Sequence, residues 1–477
     1  MAFTDRLHNR GSISTGYDID NSCKFEADNT ERMYRAWGGG GGNDQTWTVS
    51  LWVKRTELGT LQHIWGAGVS GNDVLLVSFQ TDNTLKFRST KSGADDCVYV
   101  TNRVFRDTTA WMHIVVAVDT TAAITAAPRL RIYINGVEET SFSTETDFAQ
   151  NDNTLHNANS SYMEIATAIG EADRFCGYIA EVISISGSQL APTTFGEFDG
   201  DSGIWIPKAY TGSFPQNSVY LEFKDSSSLG TDTSGNGQTF TLQNITAADQ
   251  ATDTPTNNFA TGNPLLYFST ATTVSEGATK IAKGANGWEI LASTMAVTKG
   301  KWYVEVRNET IPESAMASIM PDDIELIFRG GQTLNYPGKI VGDEGQGYYS
   351  YNGKYYRNGH YEDYGASWTG STNTIGIALD MDNGKLYFAK DNTWQNSGDP
   401  TSGSTGTGAI DVLAPTKPHL IGYTPYAANT DGFINFGGYT GASISSGASD
   451  ANGYGTFEYA PPSGYYALCT KNLAEYG

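Results

Sequence analysis

The sequence predicts an all-β chain folded as two consecutive antiparallel β-sandwich domains. Only 17% of the 477 residues are charged, whereas Gly (54) and Tyr (27) are frequent, a balance typical of strands closed by turns. Short apolar runs alternate with period two, and Gly- and Asn-containing turns separate them. Because no helical period lies between these runs, sandwiches are favoured over α/β folds.

The first half of the chain holds a regular series of strand signals. In the run 46–55, Trp47, Val49 and Leu51 share one parity, which predicts a half-buried strand. A later run ends in Asn135-Gly136, a pair that tolerates the positive φ angles of a two-residue hairpin turn. The other strands of this half are predicted at 74–79, 85–88, 111–119, 130–134, 162–169 and 177–185.

The second half also contains a series of strand signals, but its sequence does not repeat that of the first half. Its two clearest strands flank the turn 380–384, which predicts a tight hairpin. Strands are predicted at 302–307, 324–328, 347–351, 374–380 and 385–390. Between the halves, loop-forming clusters alternate with short strand-like pieces at 219–223 and 239–242, which favours a connector that packs partly on the first domain.

These shifts in composition give the predicted domain boundaries. The predicted segments are an N-terminal arm over 1–21, a first sandwich over 22–198, a β-containing connector over 199–263, a second sandwich over 264–437, and a Gly/Ser-rich stretch with a C-terminal tail packing on the second sandwich over 438–477. The arm carries no core pattern, so we expect it to become ordered only on docking to a partner.

Four runs in the first half carry a family resemblance through their order. They are Trp47-Thr48-Val49-Ser50-Leu51-Trp52-Val53, Trp111-Met112-His113-Ile114-Val115, Leu130-Arg131-Ile132-Tyr133-Ile134-Asn135-Gly136 and Gly177-Tyr178-Ile179-Ala180-Glu181-Val182. This order resembles the laminin-G/pentraxin branch of the concanavalin A-like jelly rolls over about Cys23 to Phe198. The resemblance implies a lectin-like sandwich.

The second half resembles the SPRY domain. The matching runs are Lys301-Trp302-Tyr303-Val304-Glu305-Val306, Tyr364-Gly365-Ala366-Ser367-Trp368 and the hairpin 374–388. The pairing of the two domains, together with Asp232-Thr233-Ser234-Gly235-Asn236-Gly237 and the ending 461–473, is similar to structural proteins of tailed bacteriophages. That similarity implies a fibre- or decoration-type protein of the virion, and fold alone does not give function.

Because such sandwiches also host glucanases, an enzymatic function is a further hypothesis. A retaining glycosidase needs two carboxylates on one strand face, and the laminarinase-like relatives imply E-x-D-x-x-E. The nearest run is Glu145-Thr146-Asp147-Phe148-Ala149-Gln150, where Gln replaces the proton donor. The sequence therefore predicts no enzyme and no catalytic residue.

Calcium is the cofactor that the lectin resemblance implies at the rim loops. Ca²⁺ takes six to eight oxygen ligands, hence acids clustered in carbonyl-rich turns. The candidates are Asp199 with Asp201 and Asp232 with Asn236, beside Asn72-Asp73 and Asp95-Asp96. A solvated turn is the alternative for each cluster, and no other cofactor is predicted.

Aromatic side chains crowd the segment 348–368. Tyr and Trp with adaptable polar neighbours form contact surfaces and stack on sugar rings. Within the segment, Tyr364 and Trp368 are expected in the core. The predicted ligand-binding residues are Tyr351, Tyr355, Tyr356 and Tyr361, with Trp394 as a further candidate.

The net negative charge argues against two classes of binding partner. With 52 acidic against 30 basic residues, a net charge of −22, nucleic acid and anionic membranes are not expected as partners, and no apolar run suggests membrane insertion. The four cysteines lie far apart without a C-x-x-C motif, which predicts reduced, buried thiols.

Three functions are left open by the sequence. The first is a non-enzymatic fibre or adhesin of the virion, made in the host cytoplasm, that binds a host-surface glycan or protein. The second is a purely structural decoration or fibre-base protein whose partners are other virion proteins, and the third is a polysaccharide depolymerase. Fibre resemblance implies a homo-oligomer, with a trimer expected.

Overall fold

Antiparallel strands form almost all of the regular structure, and the predicted all-β fold is confirmed. The computed structural model describes residues 16–37, 42–123, 128–170, 172–266, 270–310, 314–323 and 336–477. The chain divides into two units at Thr256 and Asn257, and each unit has its own pair of large sheets.

The strands of the first unit include the predicted series and others that the sequence did not predict, among them Gln62–Ser70 and Ala94–Val104. They are β1 (Ser22–Phe25), β2 (Arg32–Ala36), β3 (Thr46–Arg55), β4 (Gln62–Ser70), β5 (Asp73–Phe79), β6 (Thr84–Lys91), β7 (Ala94–Val104), β8 (Met112–Asp119), β9 (Leu130–Ile134), β10 (Val137–Glu138), β11 (Phe142–Thr146), β12 (Tyr162–Ile165), β13 (Gly177–Ser186), β14 (Gly196–Phe198), β15 (Trp205–Pro207), β16 (Val219–Leu221), β17 (Thr241–Gln243) and β18 (Gln250–Ala251), with 3₁₀ turns at Pro192–Thr194 and Ala247–Asp249.

Two facing sheets enclose the core of the first unit. One runs in the order β10-β9-β8-β3-β13-β1-β18, with β16 beside β13, and the other in the order β11-β7-β6-β5-β4-β12-β2-β17. Trp47 and Leu51 of the first sheet pack in one buried cluster with Trp65 and Val77 of the second. This arrangement is the sandwich that the alternating pattern predicts.

The outer face of β3 is buried as well, so the prediction of a half-buried strand was wrong. Trp52 stacks on His113 with ring centroids 4.5 Å apart, and the His113 ring in turn faces Trp205 at 6.0 Å. Lys54 forms a buried ion pair with Asp253 at 2.7 Å. Residues after 198 thus cover the face that alternation alone assigned to solvent.

The residues of the predicted connector, 199–263, do not all belong to the same unit. Its residues up to Thr256 belong to the first unit, where Leu221 and Phe240 join the core cluster. The observed division at 256/257 therefore differs from the predicted boundaries at 198/199 and 263/264. At the N-terminus, Ile19 is buried and its backbone bonds Thr256, while residues 1–15 of the predicted arm lie outside the described residues.

The strands of the second unit include the predicted hairpin around 380–384. They are β19 (Thr272–Ser275), β20 (Lys280–Lys283), β21 (Leu291–Ala292), β22 (Lys301–Asn308), β23 (Ala315–Pro321), β24 (Gln346–Tyr349), β25 (Lys354–Arg357), β26 (His360–Asp363), β27 (Thr374–Asp380), β28 (Lys385–Lys390), β29 (Thr393–Trp394), β30 (Ile410–Asp411), β31 (His419–Pro425), β32 (Asp431–Asn435) and β33 (Tyr466–Ala467), with 3₁₀ turns at Gln395–Ser397 and Pro400–Thr405 and one helix, α1 (Thr470–Tyr476), in the part that the structure describes. The strand predicted at 324–328 lies outside it.

The second unit is also built from two large sheets. Their orders are β19-β20-β32-β22-β27-β28-β29 and β21-β31-β23-β24-β25-β26. Trp302 and Ile377 of the first sheet share a buried cluster with Tyr348 and Ile421 of the second. In the tail, β33 pairs in parallel with β22, so the last residues of the chain complete this unit.

Candidate binding surface

The sheet β21-β31-β23-β24-β25-β26 exposes aromatic side chains on its outer face. Strand alternation turns Tyr348 and Tyr355, which are paired across β24 and β25, into the core, where both are at most 2% exposed. The same alternation turns Tyr349 and Tyr356 outward, and Tyr361 is paired with Tyr356 on β26. Hairpin register therefore sorts the tyrosines of this segment into core and surface.

Seven aromatic residues make a continuous chain of ring contacts, which we call the aromatic belt. The ring centroid of Trp288 lies 4.6 Å from that of Tyr336 and 5.0 Å from that of Tyr426. Tyr336 and Tyr349 both meet the edge of Tyr356, at 5.3 and 5.5 Å and nearly perpendicular. The members of the belt are Trp288, Tyr336, Tyr349, Tyr351, Tyr356, Tyr361 and Tyr426.

One end of the belt is open to solvent and carries charged groups. Tyr351 is 65% and Tyr361 59% exposed. The Lys354 ammonium lies 4.7 Å from the centre of the Tyr361 ring and pairs with Asp363 at 2.8 Å. Such a cation over a ring holds the ring in place at an exposed site.

Tyr336 and Tyr349 of the belt are half-buried, and Tyr349 is also held by a hydrogen bond. The Tyr349 and Ser314 hydroxyls bond at 2.7 Å. Burial, and next the neighbouring phenol of Tyr356, raises the pKa of Tyr336 to about 12. This phenol is therefore neutral at physiological pH, and the belt presents ring faces and hydroxyls.

Three of the five predicted ligand-binding residues lie in the belt: Tyr351, Tyr356 and Tyr361. Tyr355 does not, because its ring is 2% exposed inside the core, and its prediction as a surface residue was wrong. Trp394 belongs to the other sheet, where its ring packs against Tyr387 at 6.4 Å, so it has no ring contact with the belt among those described.

Sequence reasoning missed Trp288, Tyr336 and Tyr426. They lie far apart in the chain, and only the neighbouring positions of β21, β31, β23 and β24 bring Trp288 and Tyr426 beside Tyr349. The available signal was an aromatic residue in a polar turn, as in Asn286-Gly287-Trp288. That signal does not reveal which strands become neighbours.

The predicted calcium residues act as turn-forming groups. Asp199 Oδ1 accepts hydrogen bonds from the backbone N–H groups of Asp201 and Ser202. These bonds, and above all the one from the Ser202 hydroxyl, lower the pKa of Asp199. Asn236 donates its side-chain amide to the carbonyls of Pro215 and Ser218 at 3.0 and 3.1 Å.

Asp232 uses both oxygens within its own loop. Oδ1 accepts from the backbone N–H groups of Tyr220 and Ser234, and Oδ2 accepts from Gln238 N–H at 2.7 Å. No group of three or more His, Cys, Asp and Glu side chains is placed to hold a metal ion among the residues described here. The calcium prediction thus receives no support from this geometry.

Glu181 and Glu305 are buried glutamates with raised pKa values, as are Glu31 and Glu164. These four groups were not predicted from the sequence. Burial raises the pKa of Glu181 to about 7, although the hydroxyls of Tyr17 and Tyr220 donate to its Oε1. Glu305 likewise has its pKa raised to about 7 by burial, and it accepts backbone bonds from Glu458 and Tyr459. Each of these last two carboxyl groups therefore fastens a distant segment to its own sandwich.

A protein-family model matches a segment of the first unit. Residues 33–187 match the Laminin_G_3 family model, described as the concanavalin A-like lectin/glucanases superfamily. This segment is therefore similar to concanavalin A-like lectin-fold domains. The match confirms the resemblance seen in the four ordered runs, over about a third of the chain. No match was found among curated proteins.

Solved structures also resemble parts of the chain. A human SPRY domain matches at 12% identity and a TM-score of 0.25, covering 34% of this chain and 94% of that chain. A native heptameric SAP-like pentraxin from Limulus polyphemus matches at 12% identity and a TM-score of 0.27, covering 37% of this chain and 80% of that chain. In the part of the chain that is described, no helix has the length and apolarity to cross a bilayer.

Proposed function

We propose that this chain is a non-enzymatic binding protein of a tailed-phage virion, a tail or head fibre that recognises a host-surface glycan or protein. The lectin-fold match over 33–187 supports the binding role. The pairing of lectin-like and SPRY-like halves and the ending 461–473, which resemble structural proteins of tailed phages, support the virion role.

The aromatic belt is the observation that carries the proposal. Large apolar side chains exposed together on a protein surface mark interaction sites. Tyr rings bring contact area at low conformational entropy cost, and their hydroxyls hydrogen-bond a polar partner. The exposed rings of Tyr351 and Tyr361 form the accessible end of this surface, where a sugar ring or a protein loop can stack.

The geometry around the run Glu145 to Gln150, which is the nearest to a glycosidase motif, favours a binding role over catalysis. Glu145 on β11 is exposed, whereas Asp147 accepts the backbone N–H of Arg129 at 2.9 Å. Glu181 and Glu305, which are buried and have raised pKa values, each accept hydrogen bonds from two or more protein donors. These carboxyl groups have structural partners in place of a substrate.

The experiment combines a glycan array with competition for phage adsorption to host cells. Purified wild-type protein should bind and should block adsorption. The double variant Tyr351→Ala/Tyr361→Ala should lose both effects, because the accessible ring faces are gone. Phe198→Ser is the matched control, since Phe198 is an aromatic residue 53% exposed on the first unit.

Two outcomes would redirect the assignment. Incorporation of the chain into particles without any effect on adsorption would favour a purely structural decoration or fibre-base protein that binds other virion chains. Shortening of host polysaccharide by the purified protein would show a depolymerase. Light scattering of the purified chain tests the expected trimer.

A further inference from the structure

Lys24 contacts two buried carboxyl groups in the first unit. Its Nζ lies 2.9 Å from Oδ1 of Asp249, 2.9 Å from Oε1 of Glu31 and 3.1 Å from Oε2 of Glu31. None of these three residues is more than 6% exposed. One amine and two carboxyl groups are thus held in contact at a place from which bulk water is excluded.

Strand pairing brings Lys24 and Asp249 together from opposite ends of the first unit. Lys24 is on β1, which pairs with β18 so that Cys23 lies opposite Gln250. The next position in this antiparallel register sets Lys24 beside Asp249, the last residue of the 3₁₀ turn Ala247–Asp249. Because the unit ends at Thr256, a covalent bond between these two side chains would close almost the whole unit into one loop.

The carboxyl group of Asp249 is held with one oxygen towards the amine and the other towards backbone donors. Oδ1 meets Nζ of Lys24. Oδ2 accepts hydrogen bonds from the backbone N–H of Thr246 at 2.8 Å and from the Thr246 hydroxyl at 3.2 Å. Donors fixed on one oxygen of a carboxyl group stabilise the negative charge that this oxygen gains when a nucleophile adds to the carbon. The turn therefore presents Cγ of Asp249 to the amine.

Glu31 is placed to exchange protons with these groups. Its carboxyl group is oriented by the side-chain amide of Asn29, which donates to Oε1 at 3.1 Å, and by the backbone N–H of Glu26, which donates to Oε2 at 2.8 Å. Burial raises the pKa of Glu31 to about 7, and Asp249 adds to this rise against the opposing effect of Lys24. A carboxyl group with a pKa close to the ambient pH both gives and accepts protons efficiently.

We propose that Lys24 and Asp249 become joined by an intramolecular amide bond, with Glu31 as the acid and base of the reaction. The ammonium group first passes a proton to Oδ1 of Asp249, which leaves a neutral amine beside a carboxylic acid. Nζ then forms a bond to Cγ. Glu31 takes a proton from the nitrogen and gives one to Oδ1, the Cγ–Oδ1 bond breaks, and one water molecule leaves. Glu31 ends the reaction protonated, as it began, and no oxidant or co-reactant is consumed.

Three physical effects favour this condensation. Burial disfavours the charged form of an amine, so the neutral, nucleophilic form of Lys24 is easier to reach than in water. The fold holds the amine against the carboxyl group, which removes the entropy cost of bringing them together. The product replaces a buried ammonium and a buried carboxylate, both costly to desolvate, with a neutral amide. The proposal concerns the first unit alone and does not depend on the proposed function.

Mass spectrometry of the purified full chain tests the bond. The wild type should be lighter than its sequence mass by one water molecule, and proteolysis should release one branched fragment that contains both Lys24 and Asp249. Glu31→Gln keeps the size of the side chain but cannot exchange the proton, so it should show the full sequence mass, with circular dichroism reporting its fold. Glu289→Gln is the matched control, because Glu289 is also buried and pairs with Lys283 at 2.9 Å, in the second unit. This control should lose water as the wild type does.

A wild-type mass equal to the sequence mass would overturn the proposal and leave a buried ion pair at this place. A loss of water confined to one linear peptide would also overturn it, because a cyclic imide at a single aspartate gives that result. The same branched fragment in Glu31→Gln would contradict the role of Glu31. If Glu31→Gln does not fold, Lys24→Arg keeps the positive charge and removes the amine, and a loss of water that persists in it would contradict the bond.

Discussion

Nδ1 of His113 accepts a hydrogen bond from Nε1 of Trp205 at 3.0 Å. Because an indole N–H only donates, Nδ1 carries no proton, and the neutral ring must hold its proton on Nε2, which bonds the Ser50 hydroxyl at 2.8 Å. Burial lowers the pKa of His113 to about 3. This neutral imidazole therefore fastens β15 to the outer face of β3 and β8.

Trp205→Phe tests this connection. The variant keeps an aromatic ring and leaves buried Nδ1 of His113 without a donor, so we expect the free energy of unfolding to fall by about 1–3 kcal/mol. Denaturant unfolding followed by circular dichroism measures it. Trp394→Phe, which is partly exposed on β29, is the control and should change little. An unchanged unfolding free energy in Trp205→Phe would mean that the bond contributes nothing.

His156 predicts a pH dependence with a defined sign. Its ring lies between Trp47 and Trp65, with centroids 4.6 and 5.3 Å away, and burial lowers its pKa to about 3. The unfolded chain takes up a proton near pH 6.5 and the folded chain does not, so this stabilising contribution is complete above about pH 6.5 and is lost as pH falls towards 3.

The measurement compares His156→Phe with the wild type at two pH values. Between about pH 7.5 and about pH 5, the stability of the wild type relative to the variant should fall by about 2 kcal/mol, since 1.5 pKa units separate 6.5 from 5. Equilibrium unfolding at both pH values gives this difference. A difference that does not change with pH would show that folded His156 titrates normally.

Local patterns predicted many strands at their observed positions, although they missed β4 and β7. Long-range pairing explains other features that they could not predict. Asn135 and Gly136 both adopt positive φ angles in the hairpin turn, at 48° and 79°, as their chemistry dictates. The burial of the outer face of β3 depends on Trp205, which lies about 150 residues later, in the predicted connector. No periodicity within β3 contains that information.

The aromatic belt also shows what local sequence patterns cannot predict. Tyr355 and Tyr356 are neighbours of equal chemistry, and only the pairing of Tyr355 with Glu362 and of Tyr356 with Tyr361 fixes which one points outward. A shift of one residue in register would exchange them. Composition therefore locates the aromatic segment, but strand pairing decides which of its tyrosines point outward.

Substitutions at Tyr355 and Tyr351 should distinguish a tyrosine in the core from a tyrosine on the surface. Tyr355→Ala removes a buried ring and should cost about 3–5 kcal/mol of unfolding free energy. Tyr351→Ala changes a side chain that is 65% exposed and should stay within about 0.5 kcal/mol of the wild type. Thermal or denaturant unfolding of the two variants measures this. Equal effects would contradict the assignment of Tyr355 to the core.

Asp232 should stabilise its loop independently of calcium. Oδ1 and Oδ2 together accept four hydrogen bonds, from Tyr220 N–H, Ser234 N–H, the Ser234 hydroxyl and Gln238 N–H, all between 2.7 and 3.0 Å. Asp232→Ala leaves these donors without their acceptor, which should lower the unfolding free energy by about 2–4 kcal/mol. Asp201→Asn, in the other predicted calcium loop, is the control, because Asp201 is exposed and its substitution should stay within about 0.5 kcal/mol.

A calcium ion would have to displace the four donors, so millimolar calcium should leave the melting temperature of the wild type and of Asp232→Ala unchanged. A calcium-dependent rise in the wild type that Asp232→Ala abolishes would instead establish a metal site at this loop.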